Sequence, residues 1–189
     1  GIPFVDACMR SLISTGWITF RMRAMLVSFA SYQLWLDWRK TAPYLAGLFT
    51  DYEPGIHYSQ FQMQSGVTGI NAIRVYNPIK QGLDQDPKGV FVSKWVPELR
   101  HIKGEAIHQP WLQEQTLFRA KSDQKDTTYP TPIVDLTLSA KAAKDKLAAV
   151  RKSEAFFMNK NAVYIRHGSR KRAAKLKSQK PKPNQLKLF

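Results

Sequence analysis

An all-α fold follows from three features of this sequence. Apolar residues recur at three- and four-residue intervals through most of its first hundred positions, few runs alternate at period two, and cap or stop residues flank the periodic segments. With 189 residues, 43% of them hydrophobic, the chain is long enough for one domain with a real core.

Val5, Cys8, Met9, Leu12 and Ile13 mark one face of a helix over Phe4–Ser14, which Thr15-Gly16 ends with a left-handed cap at Gly16. Met22, Leu26, Phe29, Tyr32 (or Gln33) and Leu36 keep the helical period, predicting one long helix from about Trp17 to Lys40. Arg21 and Arg23 lie on different sides of it. Thr41-Ala-Pro43 reads as the next helix start, with Thr41 as cap, leading into a helix over Tyr44–Phe49. A loop at Asp51 precedes a short helix over Tyr58–Gln64, and Gly66 and Gly69 turn the chain back. Residues 77–89 read as turn-rich, with Asp86-Pro87-Lys88-Gly89 a type I or II turn. Helical character resumes over Phe91–Leu99, kinked or restarted at Pro97. Arg100–Pro110 is an irregular link and Tyr129-Pro130-Thr131-Pro132 an extended connector. An Ala- and Lys-rich closing helix is expected over Ser139–Phe157, with Ser139 as its cap. Order is expected to fail beyond Asn159, and Lys180-Pro-Lys-Pro183 cannot be helix.

Composition narrows the chemistry. The single cysteine, Cys8, excludes an internal disulfide and an all-cysteine metal site and fits a reducing, cytoplasmic setting. Its place in the first apolar stripe reads as a small buried residue rather than a reactive thiol. No apolar run reaches membrane-span length and no signal peptide is visible. The chain opens Gly-Ile-Pro without methionine, as a processed, cloned or partial piece would. The formal net charge is +15, and ten of those charges lie beyond Glu154, where no Asp or Glu occurs. A polyanion, nucleic acid first, is one reading of that tail; a solvated tail without a specific partner is the other.

No phosphate-cradling glycine loop and no Ser-His-Asp signature is present, and the four histidines, His57, His101, His108 and His167, lack metal-ligand spacing, so no metal is expected. The best charged group is Arg23 with Asp51 and Glu53. An arginine inside an apolar helix needs a partner, and two acids spaced i, i+2 in the following loop can supply one. That group reads as a plain ion pair or as an ion pair lining a polar cofactor pocket. The five tryptophans, Trp17, Trp35, Trp38, Trp95 and Trp111, are expected mostly in the core.

Several strings, taken together and in order, resemble the later part of the helical flavin-binding domain of the photolyase/cryptochrome family. They are Gly1-Ile-Pro-Phe-Val-Asp-Ala-Cys-Met-Arg10, Thr15-Gly-Trp-Ile-Thr-Phe-Arg-Met-Arg23, Asp37-Trp38-Arg39, Arg74-Val-Tyr-Asn-Pro78, Asp86-Pro-Lys-Gly89, Trp95-Val-Pro-Glu-Leu99, His108-Gln-Pro-Trp111 and Tyr129-Pro-Thr-Pro-Ile-Val134. The resemblance implies a partial FAD-binding domain over residues 1–158 and a basic, disordered tail over 159–189. The antenna domain and the earlier helices with the phosphate-binding loop are not matched, which implies an upstream part of the same polypeptide.

By resemblance, FAD is the cofactor and DNA, damaged or with a flipped base, the partner. Trp17 lies at the pocket wall, Arg23 pairs with Asp51 beside the flavin, and Glu53 stands for a second aspartate that contacts it. Arg21 and Arg74 match positions facing DNA. Some positions depart from the family pattern. His57 falls where Asn, Asp or Cys stands beside the reactive ring nitrogen, and a histidine there titrates near neutral pH. Phe61 falls where the tryptophan nearest the flavin stands, while Trp38 matches the next tryptophan of the electron relay. The relay is cut at its first step unless Trp35 or Tyr58 substitutes. Phe20 replaces an asparagine close to flavin and lesion, Ala24 a methionine, and Met63 an aromatic that stacks on the flipped base. Repair of pyrimidine dimers, light sensing without repair, and cofactor-free nucleic-acid binding are the three functions the resemblance leaves open.

Overall fold

The computed structural model describes residues 1–68, 71–114 and 129–167. Among them every regular element is helical: α1 (Pro3–Thr15), α2 (Phe20–Ser28) continued by a π-helical turn (Phe29–Gln33), α3 (Trp38–Ala46), α4 (Pro54–Gln64), α5 (Pro78–Gln85), α6 (Val90–Trp95), two 3-10 turns (Pro97–Leu99 and Gly104–His108), α7 (Trp111–Glu114), α8 (Leu136–Lys152) and α9 (Glu154–His167).

Of the stripe predicted on α1, Val5, Cys8 and Leu12 lie in the core beside Phe4, Met9 is half-buried, and Ile13 is 60% exposed, so the buried face is narrower than the spacing predicts. Gly16 adopts φ 71° and its N–H closes the helix on the Leu12 carbonyl. α1 packs on α5 and α6, and α2 packs on α4. Met25, Leu26 and Phe29 join Val92, Val96, Leu99 and Ile107 in a single core. Burial removes Cys8 from solvent and pushes its thiol up to about 12, the state of an inert structural cysteine.

The long helix expected from Trp17 to Lys40 is broken. Leu34 N–H reaches back five residues to the Phe29 carbonyl (3.1 Å), Trp35 takes a left-handed φ of 52°, and Asp37 starts α3 by accepting from Arg39 N–H at 2.9 Å. Periodicity is blind to this break, because Phe29 and Tyr32 stay buried on the face the unbroken stripe would also bury. Pro43 is therefore the sixth residue of α3 rather than part of a cap before it. α4 starts four residues earlier than expected, because Glu53 caps it and Pro54 fills its first position.

The segment expected to be turn-rich contains α5. Asn77 Oδ1 accepts from the N–H groups of Ile79 (3.0 Å) and Lys80 (3.2 Å), and Pro78 opens the helix. Asn77-Pro78, a bend signal in the sequence, is here a helix start. Gly82 fits inside this helix because the buried His108 ring presses against it, leaving no room for a Cβ. The Asp86–Gly89 turn forms with the expected i to i+3 bond, 2.9 Å. Pro97 starts a new turn. The closing helix begins at Leu136 under an Asp135 cap, not at Ser139, breaks at Ser153 and resumes as α9 to His167, past the limit of order expected at Asn159. The rest of the expected tail, 168–189, and Gly69 lie outside the described residues.

Candidate functional site

One cavity of about 370 Å³ lies between α2, α3 and α4. α2 contributes Phe20, Arg23, Ala24 and Val27, and α4 contributes His57, Gln60, Phe61 and Gln64. Both sets follow i, i+3, i+4, i+7 spacing, so each is one face of its helix. Trp17 and Ile18 before α2, and Asp51, Tyr52 and Glu53 before α4, complete the walls with Leu45, Phe49 and Ile56.

Arg23 is held from three sides. Its Nε donates to the Ile18 carbonyl at 3.0 Å, a terminal nitrogen donates to Asp51 Oδ2 at 2.8 Å, and its guanidinium lies 4.2 Å from the Phe49 ring centre. The Arg23 hydrogen bond holds the Asp51 carboxyl below the usual carboxylate range, against a smaller opposing effect of burial. The pairing expected from sequence is therefore made, and its charges face the cavity. Glu53 also lines the cavity, but its Oε2 accepts from Ile56 N–H at 2.6 Å. It is committed to capping α4, a task that the sequence pattern does not assign to it.

His57 sits in a cage of rings: Phe49, Tyr52, Tyr58 and Phe61, the last with its centre 4.6 Å away. Its Nε2 is 2.9 Å from the Ala42 carbonyl. A carbonyl only accepts, so Nε2 carries the proton of that bond and Nδ1 is the atom left to gain or lose one. Tyr52 stands beside it, its hydroxyl pushed up by desolvation and by a hydrogen bond with Tyr58.

Trp17, Phe20, Arg23, Asp51, Glu53 and His57 thus share one cavity. Trp17 and Phe20 are 54% and 60% exposed, so the cavity has an open, aromatic mouth. Trp38 is half-buried against the core and does not line the cavity, and neither does Met63. Arg21 lines a second, smaller hollow with Phe4, Thr19, Met22 and Gln85. Arg74 is exposed, on a loop segment where its own carbonyl accepts from Ser28 at 3.3 Å. Sequence reasoning missed Gln60, Gln64 and Tyr52. The shared spacing of His57, Gln60, Phe61 and Gln64 was the available signal. Gln60 Oε1 is buried without a hydrogen-bond partner among the described residues, and a ring ligand bearing an N–H is the kind of group that satisfies such an acceptor. Apolar walls, a few convergent polar groups and a volume near the lower end of the ~300–1,000 Å³ usual for ligand sites fit a planar heteroaromatic ring better than a whole dinucleotide. Among the described residues no group of His, Cys, Asp and Glu could hold a metal, and no helix is long and apolar enough to cross a membrane.

Comparison with known proteins matches residues 1–149 to the family described as the FAD binding domain of DNA photolyase. A cryptochrome DASH of Danio rerio is 39% identical over 135 residues, 71% of this chain and 26% of its own length. A class III photolyase from Agrobacterium tumefaciens superposes with a TM-score of 0.67 and 31% identity, over 81% of this chain and 32% of that one. A photolyase from Sulfolobus tokodaii, whose structure holds two FAD molecules, gives 0.66 and 31%, over 79% and 32%. The chain thus spans about a quarter to a third of the length of these relatives.

Proposed function

The chain belongs to the photolyase/cryptochrome family of FAD-binding domains, and from that premise we propose that its cavity holds the flavin ring of FAD in a blue-light-dependent flavoprotein acting on DNA. The observation that carries this reading is the convergence of the Arg23–Asp51 pair, His57 and Gln60 on one aromatic-walled cavity. The volume suits the ring system alone, so the phosphates and adenosine are held by an upstream part of the same polypeptide. A cytoplasmic setting fits the single, buried, unpaired cysteine.

Arg23 and Asp51, already paired, would offer a cation and an anion to polar groups of the ring without rearrangement. Trp17 and Phe20, at the open mouth of the cavity, would supply apolar contact to the ring. His57 Nδ1 can hold or release a proton at the cavity wall while Nε2 keeps the imidazole anchored to α3. When bound, the flavin supplies light-driven one-electron transfer. Arg21 and Arg74 hold the backbone of damaged DNA, the substrate of pyrimidine-dimer photorepair.

A second reading, light sensing without repair, draws on a separate observation. Phe61, buried to 2% exposure and tilted against His57, lines the cavity where the resemblance puts a tryptophan, and Trp38 stands outside it. Phenylalanine is not a practical electron donor. Light-dependent cleavage of a dimer-containing oligonucleotide would reject this reading.

The test is the visible spectrum of the purified chain after addition of FAD and desalting, repeated with the upstream polypeptide restored. A flavin band that is retained, and weakened in Arg23→Ala, supports the proposal. Absence of flavin from both forms overturns it. Arg21→Ala and Arg74→Ala should weaken binding to damaged duplex, and unchanged affinity removes them from the DNA face.

A further inference from the structure

The π-helical turn after α2 does more than end that helix. An α-helix sets residues five positions apart about 140° from each other around its axis. A π-helical turn, with bonds from i to i+5, brings such residues toward one side. Ser28 precedes the turn Phe29–Gln33 and Gln33 closes it, and both side chains reach the same place on the chain. Ser28 Oγ accepts from Tyr76 N–H at 3.0 Å and donates to the Arg74 carbonyl at 3.3 Å, and Gln33 Nε2 donates to the Tyr76 carbonyl at 2.7 Å. Both backbone groups of Tyr76 are thus taken by side chains of one helical run. Ser28 and Gln33 are buried, so these bonds lie where little water competes for them. Among the described residues, the backbone of 71–76 makes no bond to other backbone, so this clip is the polar hold on it. Arg74 is exposed at one end of the clipped segment. Val27, next to Ser28, lines the cavity, so one helix carries both a cavity wall and the base on which Arg74 stands.

We propose that Ser28 and Gln33 are positioning residues for Arg74: by clipping the Arg74–Tyr76 backbone to the π-helical turn, they set where the Arg74 guanidinium stands relative to the cavity. What this does to DNA binding rests on the contact proposed above for Arg74. Removing the Ser28 hydroxyl leaves the Tyr76 N–H without its partner and loosens the backbone under Arg74. Arg74 then has more freedom to lose on binding, and affinity falls although every cation is still present.

The test uses the full chain carrying Arg74→Cys, with a nitroxide label on the new thiol. Cys8, the chain's own cysteine, is buried and does not compete for the label. The electron paramagnetic resonance spectrum of the label should narrow when Ser28→Ala or Gln33→Met is added, while that of a label at Arg39→Cys, on α3, stays as it was. An unchanged spectrum at position 74 overturns the proposal. So does narrowing at both positions, which is a general loosening of the fold. In anisotropy titrations with a fluorescein-labelled, dimer-containing duplex, Ser28→Ala should weaken binding by part of the loss seen in Arg74→Ala, and should cost nothing further when added to Arg74→Ala. Equal losses in both backgrounds overturn the positioning role. If Arg74→Ala alone leaves affinity unchanged, the DNA reading of Arg74 falls, while the clip stands or falls on the label spectra.

Discussion

Arg23 does three jobs with one side chain, and each depends on a different atom. Nε bonds the backbone before α2, a terminal nitrogen bonds Asp51, and the planar face lies against Phe49. Lysine keeps the charge but loses the fork and the flat stack. Arg23→Lys should lower stability by about 1 kcal/mol in urea unfolding, a small figure because Asp51 is 49% exposed. Elsewhere, Arg10 and Glu98 form a two-pronged pair at 2.8 and 2.9 Å. The Arg10 hydrogen bond holds the Glu98 carboxyl below its ordinary value, with burial opposing. That stabilisation is complete above the unfolded carboxylate pKa of roughly 4.3 and is lost as pH falls through the lower folded value. Glu98→Gln should therefore destabilise the protein at neutral pH and flatten its acid limb, read from melting temperature against pH. Cys8, with its thiol pushed up to about 12 by burial, should react with a thiol reagent only after denaturant is added. Fast reaction in the native state would mean the α1 stripe is not packed as described.

Helix starts govern the element scale. Asp37, Glu53, Asn77 and Asp135 each accept from an N–H of the first turn they precede. Asn77→Ala should cost about 1 kcal/mol, measured by urea unfolding. No change would mean α5 is held by packing alone. Glu53→Gln retains the acceptor, so it should leave α4 stable, whereas Glu53→Ala should not. Comparing flavin retention in the two separates the capping task of Glu53 from any contact with a bound ring. The caps at Asp37, Asn77 and Asp135 are visible in the sequence as residue types, unlike that at Glu53, yet Asn77-Pro78 suits a bend as well as a helix start, and Ser139 suits the cap position that Asp135 fills. The ambiguity is physical: a side-chain acceptor two or three residues before a free N–H serves a turn and a helix equally well. Packing against distant residues chooses between them. For α5 the choice lies with His108, more than twenty positions away, which packs on Gly82.

At the scale of the molecule, two helix faces with the same spacing are brought across one cavity. Phe20, Arg23, Ala24 and Val27 share a cavity with His57, Gln60, Phe61 and Gln64 in a chain whose helix breaks at Leu34–Asp37, after the π-helical turn and at the left-handed Trp35. A single straight helix to Lys40 would carry α3 away and leave Arg23 without Asp51. Trp35 rests under Lys146 of α8, 4.3 Å from its ring centre, so α8 braces this break. Its φ of 52° costs roughly 1–2 kcal/mol for a non-glycine residue. Trp35→Gly should relieve that strain while losing the contact with Lys146, giving a smaller change than Lys146→Glu; urea unfolding of the two variants decides this.

The all-α class, most of the buried face of α1, the cap at Gly16, the Asp86–Gly89 turn and the need of Arg23 for an acid from the Asp51–Glu53 loop were readable in the residues, because each rests on local spacing or on the cost of an unpaired charge in an apolar helix; the choice of Asp51 over Glu53 came from the family resemblance. The place where α2 ends, the helix at Pro78–Gln85, the capping task of Glu53 and the inclusion of Gln60 and Gln64 in the cavity were not. Those depend on which distant side chains fill the space beside them, and an apolar period looks the same whether the helix that carries it continues straight or folds back.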